Sequence, residues 1–391
     1  MSQKDQPFEP KADTASSRVR RSYYSFSKEY PHQAFTLEKT KKKTRSGKRV
    51  LRIMLLIACF LAVSCISFFA VDFALRISEK QMNEQAPVLT PTVSTDLSNL
   101  KALSVSHEVL SGKREARACI RKLNRNDCNA VVIDFKTAEG NLAYTSAELF
   151  AIQNNRNLYD SDTVREVLEL FQRANIQVIA GVHCFNDHAL ALFEPSLAVK
   201  YLGTDVTWFD ADEENGGKAW VNPYATKGRA YLKAVISEIA SFGVNGILLK
   251  NLSFPVGEAV DTASFPGEEA SVKRNKLLKN LIHSIKGSLP ETCALLLSVD
   301  ANDIAGSETR FDGSIFPNEC DAVLCNTAIR PQTVTLNKED GYMDALLYFN
   351  ELFSETTNEA FVLEIPKNEA SANYLRTLSR NGYAAVVIDE K

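Results

Sequence analysis

From Lys101 onward, short continuously apolar runs alternate with longer stretches in which apolar residues recur every three or four positions. The first pattern marks strands buried on both faces, the second amphipathic helices. The runs predict strands over 102–106, 129–135, 176–183, 244–250, 293–300, 320–326, 359–365 and 383–389. The periodic stretches predict helices over 112–124, 161–174, 223–242, 267–287, 342–354 and 371–381, with a shorter segment near 188–201. Strands separated by helices imply right-handed βα units, and eight of them close most economically into an α/β barrel of the TIM (β/α)8 type. An open, doubly wound sheet is the rival architecture, and no Gly-rich phosphate loop follows any strand to support it.

Residues 218–255 carry the alternation most clearly. Asn222-Pro223 reads as a helix start, with Asn as N-cap and Pro where no N–H is needed. Tyr231, Val235, Ile239 and Phe242 then share one face, and Gly243 supplies the left-handed residue that ends the helix. Ile247-Leu248-Leu249 follows as a buried strand ending in Lys250-Asn251. Val131-Val132-Ile133-Asp134 and Val386-Val387-Ile388-Asp389 repeat each other in strands two and eight, which we read as convergence on buried parallel strands.

Ahead of the barrel, residues 53–75 form the most apolar stretch of the chain, with Asp72 as its one charge. As a helix that stretch exceeds the roughly 30 Å of bilayer hydrocarbon and is expected to span it. The polar segment before it is too long for a signal peptide, so an uncleaved anchor is expected. Lys39, Lys41, Lys42, Lys43, Arg45, Lys48, Arg49 and Arg52 precede it, placing residues 1–52 in the cytoplasm and the barrel outside. Residues 1–52 lack periodicity and are expected to be disordered. Residues 76–100 are rich in Pro, Thr and Ser and read as a stalk, leaving 101–391 for the barrel.

A net charge of −3 gives no footing for bulk nucleic-acid binding. Six cysteines fall in the barrel, Cys119, Cys128, Cys184, Cys293, Cys320 and Cys325, and read as buried thiols. No C-x-x-C and no paired His matches a zinc site, so no metal or other cofactor is expected.

Chemistry in such a barrel is built where strands end and βα loops begin. The strand ends offer His107, Asp134 with Lys136, His183, Lys250, Asp300, Asn326, Glu364 and Asp389. Glycoside hydrolysis needs two carboxyl groups, an acid and a base or nucleophile, about 5–10 Å apart. Asp134, Asp300 and Glu364 are the catalytic candidates. Lys136, His183, Lys250, Asn251 and Asp389 are candidate substrate contacts. Phe185, Trp220 and Tyr224 are candidate platforms for a sugar ring, with packing under a loop as the other reading. The acidic loop 210–214 lacks calcium-loop spacing and reads as solvated surface.

These blocks carry a family resemblance. Trp220-Val221-Asn222-Pro223-Tyr224 resembles a Trp-Val-Asp-Pro-Tyr block, and Leu249-Lys250-Asn251-Leu252-Ser253-Phe254-Pro255 resembles Phe-Asp-Tyr-Ile-Arg-Phe-Pro. Both blocks belong to a bacterial family of TIM barrels described as glycoside hydrolases and long filed as a domain of unknown function. Val132-Ile133-Asp134-Phe135-Lys136 with Gly140, Val178 to Phe185, and Leu297-Ser298-Val299-Asp300 are similar to its strands two, three and five. The resemblance spans roughly residues 100–390, is strongest over 129–255 and thins after strand five. The resemblance implies a barrel that handles glycans. Where the family has its strand-four Asp, however, this chain has Lys250.

A lysine inside a carboxylate-lined mouth acts as a counter-ion and lowers a neighbour's pKa, the wrong direction for a general acid. The expected function is therefore a cell-surface barrel that binds wall or matrix polysaccharide, with hydrolysis weak or lost. An active glycosidase using Asp134, Asp300 or Glu364 is one alternative; a non-catalytic envelope scaffold binding a protein partner is another. The topology is tested with protease added to intact cells. Digestion is expected to remove the barrel and spare residues 1–52; a protected barrel contradicts that orientation.

Overall fold

The structure is a computed structural model that describes residues 99–326 apart from 213, 269–271, 301–302, 304–309 and 314–318. Leu51, Met54, Leu56, Leu97 and the segments 360–366, 375–376 and 384–388 are described as well. The chain divides into two compact units, Met1–Glu84 and Gln85–Lys391. In the first, Leu51, Met54 and Leu56 are helical and exposed. Among the described residues no helix is long and apolar enough to cross a membrane. The expected span over 53–75 lies outside them except for Met54 and Leu56, as do the expected helix over 342–354 and Asp389.

The second unit holds eight parallel strands closed into a barrel, so the open sheet is excluded. They are β1 (Lys101–Val105), β2 (Ala130–Lys136), β3 (Gln177–His183), β4 (Gly246–Lys250), β5 (Ala294–Asp300), β6 (Ala322–Asn326), β7 (Ala360–Pro366) and β8 (Ala384–Ile388). They lie in sequence order round the barrel, and β8 closes it against β1 with Ala102 opposite Val386. The α-helices described from end to end are α1 (Lys113–Arg125), α2 (Leu149–Gln153), α3 (Ser161–Arg173), α4 (His188–Phe193), α5 (Thr226–Ser241) and α6 (Arg274–Lys286). Asp160 caps α3 by accepting from the N–H groups of Asp162 and Thr163, and Val164, Val167, Leu168 and Phe171 form its buried face.

One helix start differs from the expectation. Asn222 is not the N-cap of α5, which begins at Thr226. Its side chain is used in a turn just before the helix, where Oδ1 accepts the Tyr224 N–H at 3.0 Å and Nδ2 donates to Pro266 O at 2.9 Å. The other end is as expected: Gly243 has φ +73°, a conformation that costs glycine nothing.

Strand alternation splits the core in two. Residues such as Val131, Ile133, Ile247, Leu249 and Leu297 face outward and pack with the helices. Ala102, Val132, Ile179, Leu248, Leu296, Leu324 and Val386 face inward and fill the barrel. Leu100, the last residue of the expected stalk, is fully buried in this inner core and belongs to the barrel. All six barrel cysteines are buried thiols without a disulfide. Burial pushes the Cys119 thiol up to about 11 and that of Cys184 to about 12.

The inner core carries a stability prediction. Leu248→Ala empties volume that neighbouring strands cannot refill and is expected to cost about 2–5 kcal/mol. Leu202, 68% exposed on a loop, is expected to change stability by less than about 0.5 kcal/mol when cut to Ala. Chemical denaturation of both variants measures the contrast.

Candidate functional site at the barrel mouth

The period-two alternation that fills the barrel also furnishes its mouth. Two positions beyond an inner-core residue lies another side chain facing the same lumen. Val132 thus leads to Asp134, Leu248 to Lys250, Leu324 to Asn326 and Val362 to Glu364. Ile179 leads through Gly181 to His183, and Leu296 through Ser298 to Asp300. Strand register sets their order: Asp134 beside Gly181, His183 beside Lys250, and Asn326 between Asp300 and Glu364.

Asp134 Oδ1 accepts a hydrogen bond from Lys250 Nζ at 2.7 Å, and Oδ2 lies 3.6 Å from His183 Nε2. These two charges come from β2 and β4, with β3 between them. Gly181 makes the crossing possible, since a Cβ there would lie 2.1 Å from Asp134 Oδ1 and 3.3 Å from Lys250 Cε. Burial alone would raise the Asp134 carboxyl. The Lys250 ammonium and the His183 hydrogen bond outweigh it and hold the group well below the usual carboxylate range. His183 Nδ1 is 2.8 Å from Asn251 Oδ1, and Asn251 adopts a left-handed φ of +52°.

On the other side of the mouth, Arg310 brackets Asp300. Its Nη2 is 3.0 Å from Asp300 Oδ2, and its Nε donates to Asp303 Oδ1 at 3.0 Å. Asp303 Oδ2 in turn accepts the Asp300 N–H at 2.7 Å. Behind them, burial pushes the Cys325 thiol up, followed by the charges of Asp300, Glu364 and Asp303, with Arg310 opposing.

Four of the expected contacts sit elsewhere. A register shift in β2 after Asp134 turns Lys136 away from the lumen; it is fully buried and faces Asp187 and the His183 carbonyl. Phe185, Trp220 and Tyr224 are more than nine-tenths covered. Trp220 Nε1 donates to Asp210 Oδ2 at 2.8 Å, and the Tyr224 hydroxyl donates to Val272 O at 3.0 Å. Their rings serve as packing beneath loops rather than as open platforms. The sequence reading missed Gly181, Asp187, Asp303 and Arg310. Asp187 had a local signal, as an acidic residue directly before a short helix; Arg310 had none. Among the described residues, no group of three or more His, Cys, Asp or Glu is placed to hold a metal.

A closed barrel of eight parallel strands whose mouth gathers carboxylates from separate strands is a barrel of the TIM type. Residues 102–313 match the family model described as "Putative glycosyl hydrolase domain", more than half of the chain, and the protein belongs to that family. The match ends in the loop after β5, where the resemblance thins. No curated protein matches the chain. Among solved structures, a hypothetical protein from Ruminiclostridium thermocellum is 23% identical with a TM-score of 0.43, covering 49% of this chain and 96% of its own. An alpha-amylase from Lactobacillus plantarum is 10% identical with a TM-score of 0.48, over 75% of this chain and 71% of its own. The glycoside hydrolase domain of PelA from Pseudomonas aeruginosa is 12% identical with a TM-score of 0.41, over 74% and 94%.

The ion pair across Gly181 predicts a pH signature. Because the folded-state carboxyl of Asp134 is depressed, its stabilisation is fully present above the ordinary value of 3.8 and is lost as pH falls through the folded value. The stability gap between wild type and Lys250→Met is expected to stay level from about pH 5 to 8 and shrink below about pH 4. A gap unchanged down to pH 2 contradicts the pairing.

Proposed function

We propose that this chain is a membrane-anchored, cell-surface, glycoside-hydrolase-like barrel that binds cell-wall or matrix carbohydrate with weak or lost hydrolytic activity. The observation that carries the reading is Lys250 Nζ on Asp134 at 2.7 Å, in the lumen where the family places a strand-four carboxylate. A glycosidase needs one carboxyl whose pKa is raised so that it holds a proton near neutrality. Here Asp134 is driven the other way, and Asp300 is held by a guanidinium. Ion-paired carboxylates, an amide and an imidazole still exchange hydrogen bonds with sugar hydroxyls. The outside location rests on the basic run before residues 53–75.

One observation favours the active-glycosidase reading. Asp300 and Glu364 stand in register on either side of Asn326. Two strand spacings put their backbones roughly 9–10 Å apart, compatible with an acid and base pair.

Purified barrel is expected to bind wall glycans saturably and to turn over activated aryl glycosides no faster than blank. Turnover that disappears in Asp300→Asn and survives Lys250→Ala identifies a working enzyme instead. Failure to bind any glycan across a broad array leaves the scaffold reading.

A further inference from the structure

The barrel buries one ion pair that the mouth chemistry does not use. Lys136 Nζ lies 2.8 Å from Asp187 Oδ2, and both side chains are 1% exposed. Asp187 Oδ1 accepts the Leu190 N–H at 3.0 Å and so caps α4. Its Oδ2 has no hydrogen-bond partner among the described residues and faces the Lys136 ammonium as an ion pair. The same ammonium donates to the His183 carbonyl at 2.6 Å. Gly140, at φ +80°, closes over the pair; a Cβ there would lie 2.4 Å from Asp187 Oδ1 and 2.8 Å from the Ala189 Cβ. The other titratable groups facing the pair are the Cys184 thiol and the Tyr231 hydroxyl.

A buried ion pair is an expensive way to hold two strand ends together, since a well-packed apolar pair of the same volume is often as stable. What an apolar pair would not supply is the directed bond to the His183 carbonyl. His183 is the residue whose ring meets both Asp134 at 3.6 Å and Asn251 at 2.8 Å.

We propose that Lys136 and Asp187 are positioning residues. They fix the end of β3 so that the His183 ring is held between Asp134 and Asn251 in the mouth. The link to glycan rests on the proposed function; the effect on the His183 ring does not.

The test uses Lys136→Met/Asp187→Asn in the full chain. This double variant removes both charges, keeps the cap acceptor and roughly conserves volume. Lys136→Met alone is expected to lower the thermal midpoint sharply, because it leaves a buried carboxylate unpaired. The double variant is expected to recover most of that midpoint. Even so, the His183 imidazole resonances, assigned by comparison with His183→Gln, should be displaced from their wild-type positions. Glycan affinity should fall about tenfold, the loss of one charge-assisted hydrogen bond. If the double variant folds with wild-type His183 resonances, the positioning role is overturned and the pair serves stability alone. If it fails to fold, Lys136→Gln/Asp187→Asn, whose donor is one atom shorter than the ammonium that reaches the His183 carbonyl, is read the same way: displaced resonances support the proposal and wild-type resonances overturn it. Should wild type bind no glycan, the proposed function fails while the His183 resonances still decide this inference.

Discussion

A charge facing a barrel lumen cannot pair with the residues next to it on its own strand, which face the other way, and finds its counter-charge on another strand or in a loop over the mouth. That constraint organises the mouth of this protein. Lys250 on β4 reaches Asp134 on β2 by passing over β3 at the one position, Gly181, where no side chain stands in the way. The pair is only partly shielded from solvent, at 18% and 27% side-chain exposure. It gains more from Coulomb attraction than an open surface pair, and less than a fully dry one. His183 and Asn251 then take the remaining directions around the same carboxylate.

The same solution appears twice more around the rim. Lys136 and Asp187 join β2, the end of β3 and α4 from outside the lumen. Arg310 joins the end of β5, through Asp300 and Asp303, to the loop after β4, where its carbonyl accepts the Phe254 N–H at 3.0 Å. Of these cations, Lys250 and Arg310 are held against lumen carboxylates that a hydrolase would otherwise be able to use or tune, whereas Lys136 faces a carboxylate sealed behind the mouth. The consequence is chemical: the mouth is rich in acceptors, while the geometry that raises a carboxyl pKa, an apolar enclosure without a nearby cation, is missing at Asp134.

The barrel was legible in the sequence because its signal is local. Each of the eight apolar runs became a strand whose ends moved by no more than two residues, as β4 did from 244–250 to Gly246–Lys250. Which strand-end side chains face the lumen followed from the alternation except at Lys136, which the register shift in β2 turns away. Partner identity did not, because it depends on residues distant in sequence. Asp134 and Lys250 are 116 positions apart, and nothing near Arg310 announces Asp300. Trp220 and Tyr224 illustrate the other limit. An aromatic side chain with a polar tip looks the same in sequence whether its face is offered to a sugar or pressed under a loop. Asn222 misled for a related reason, since one side chain can cap a helix or close the turn before it.

The divergence of strand four reaches beyond one residue. Asn251, next to Lys250, holds φ at +52°, a conformation that asparagine tolerates and most side chains resist at about 1–2 kcal/mol. The family's tyrosine would be strained on this backbone, and it could not offer the amide oxygen that meets His183. Two positions on, where the family has arginine, Ser253 is 1% exposed and its hydroxyl has no partner among the described residues. An arginine side chain at so buried a position would need both room and a counter-charge. Lys250 and Asn251 therefore form one altered unit, fitted to Gly181 and His183. An aspartate at position 250 alone would place a carboxylate beside Asp134 at a strand end still shaped for a lysine, with like charges close together and the Lys250 ammonium gone.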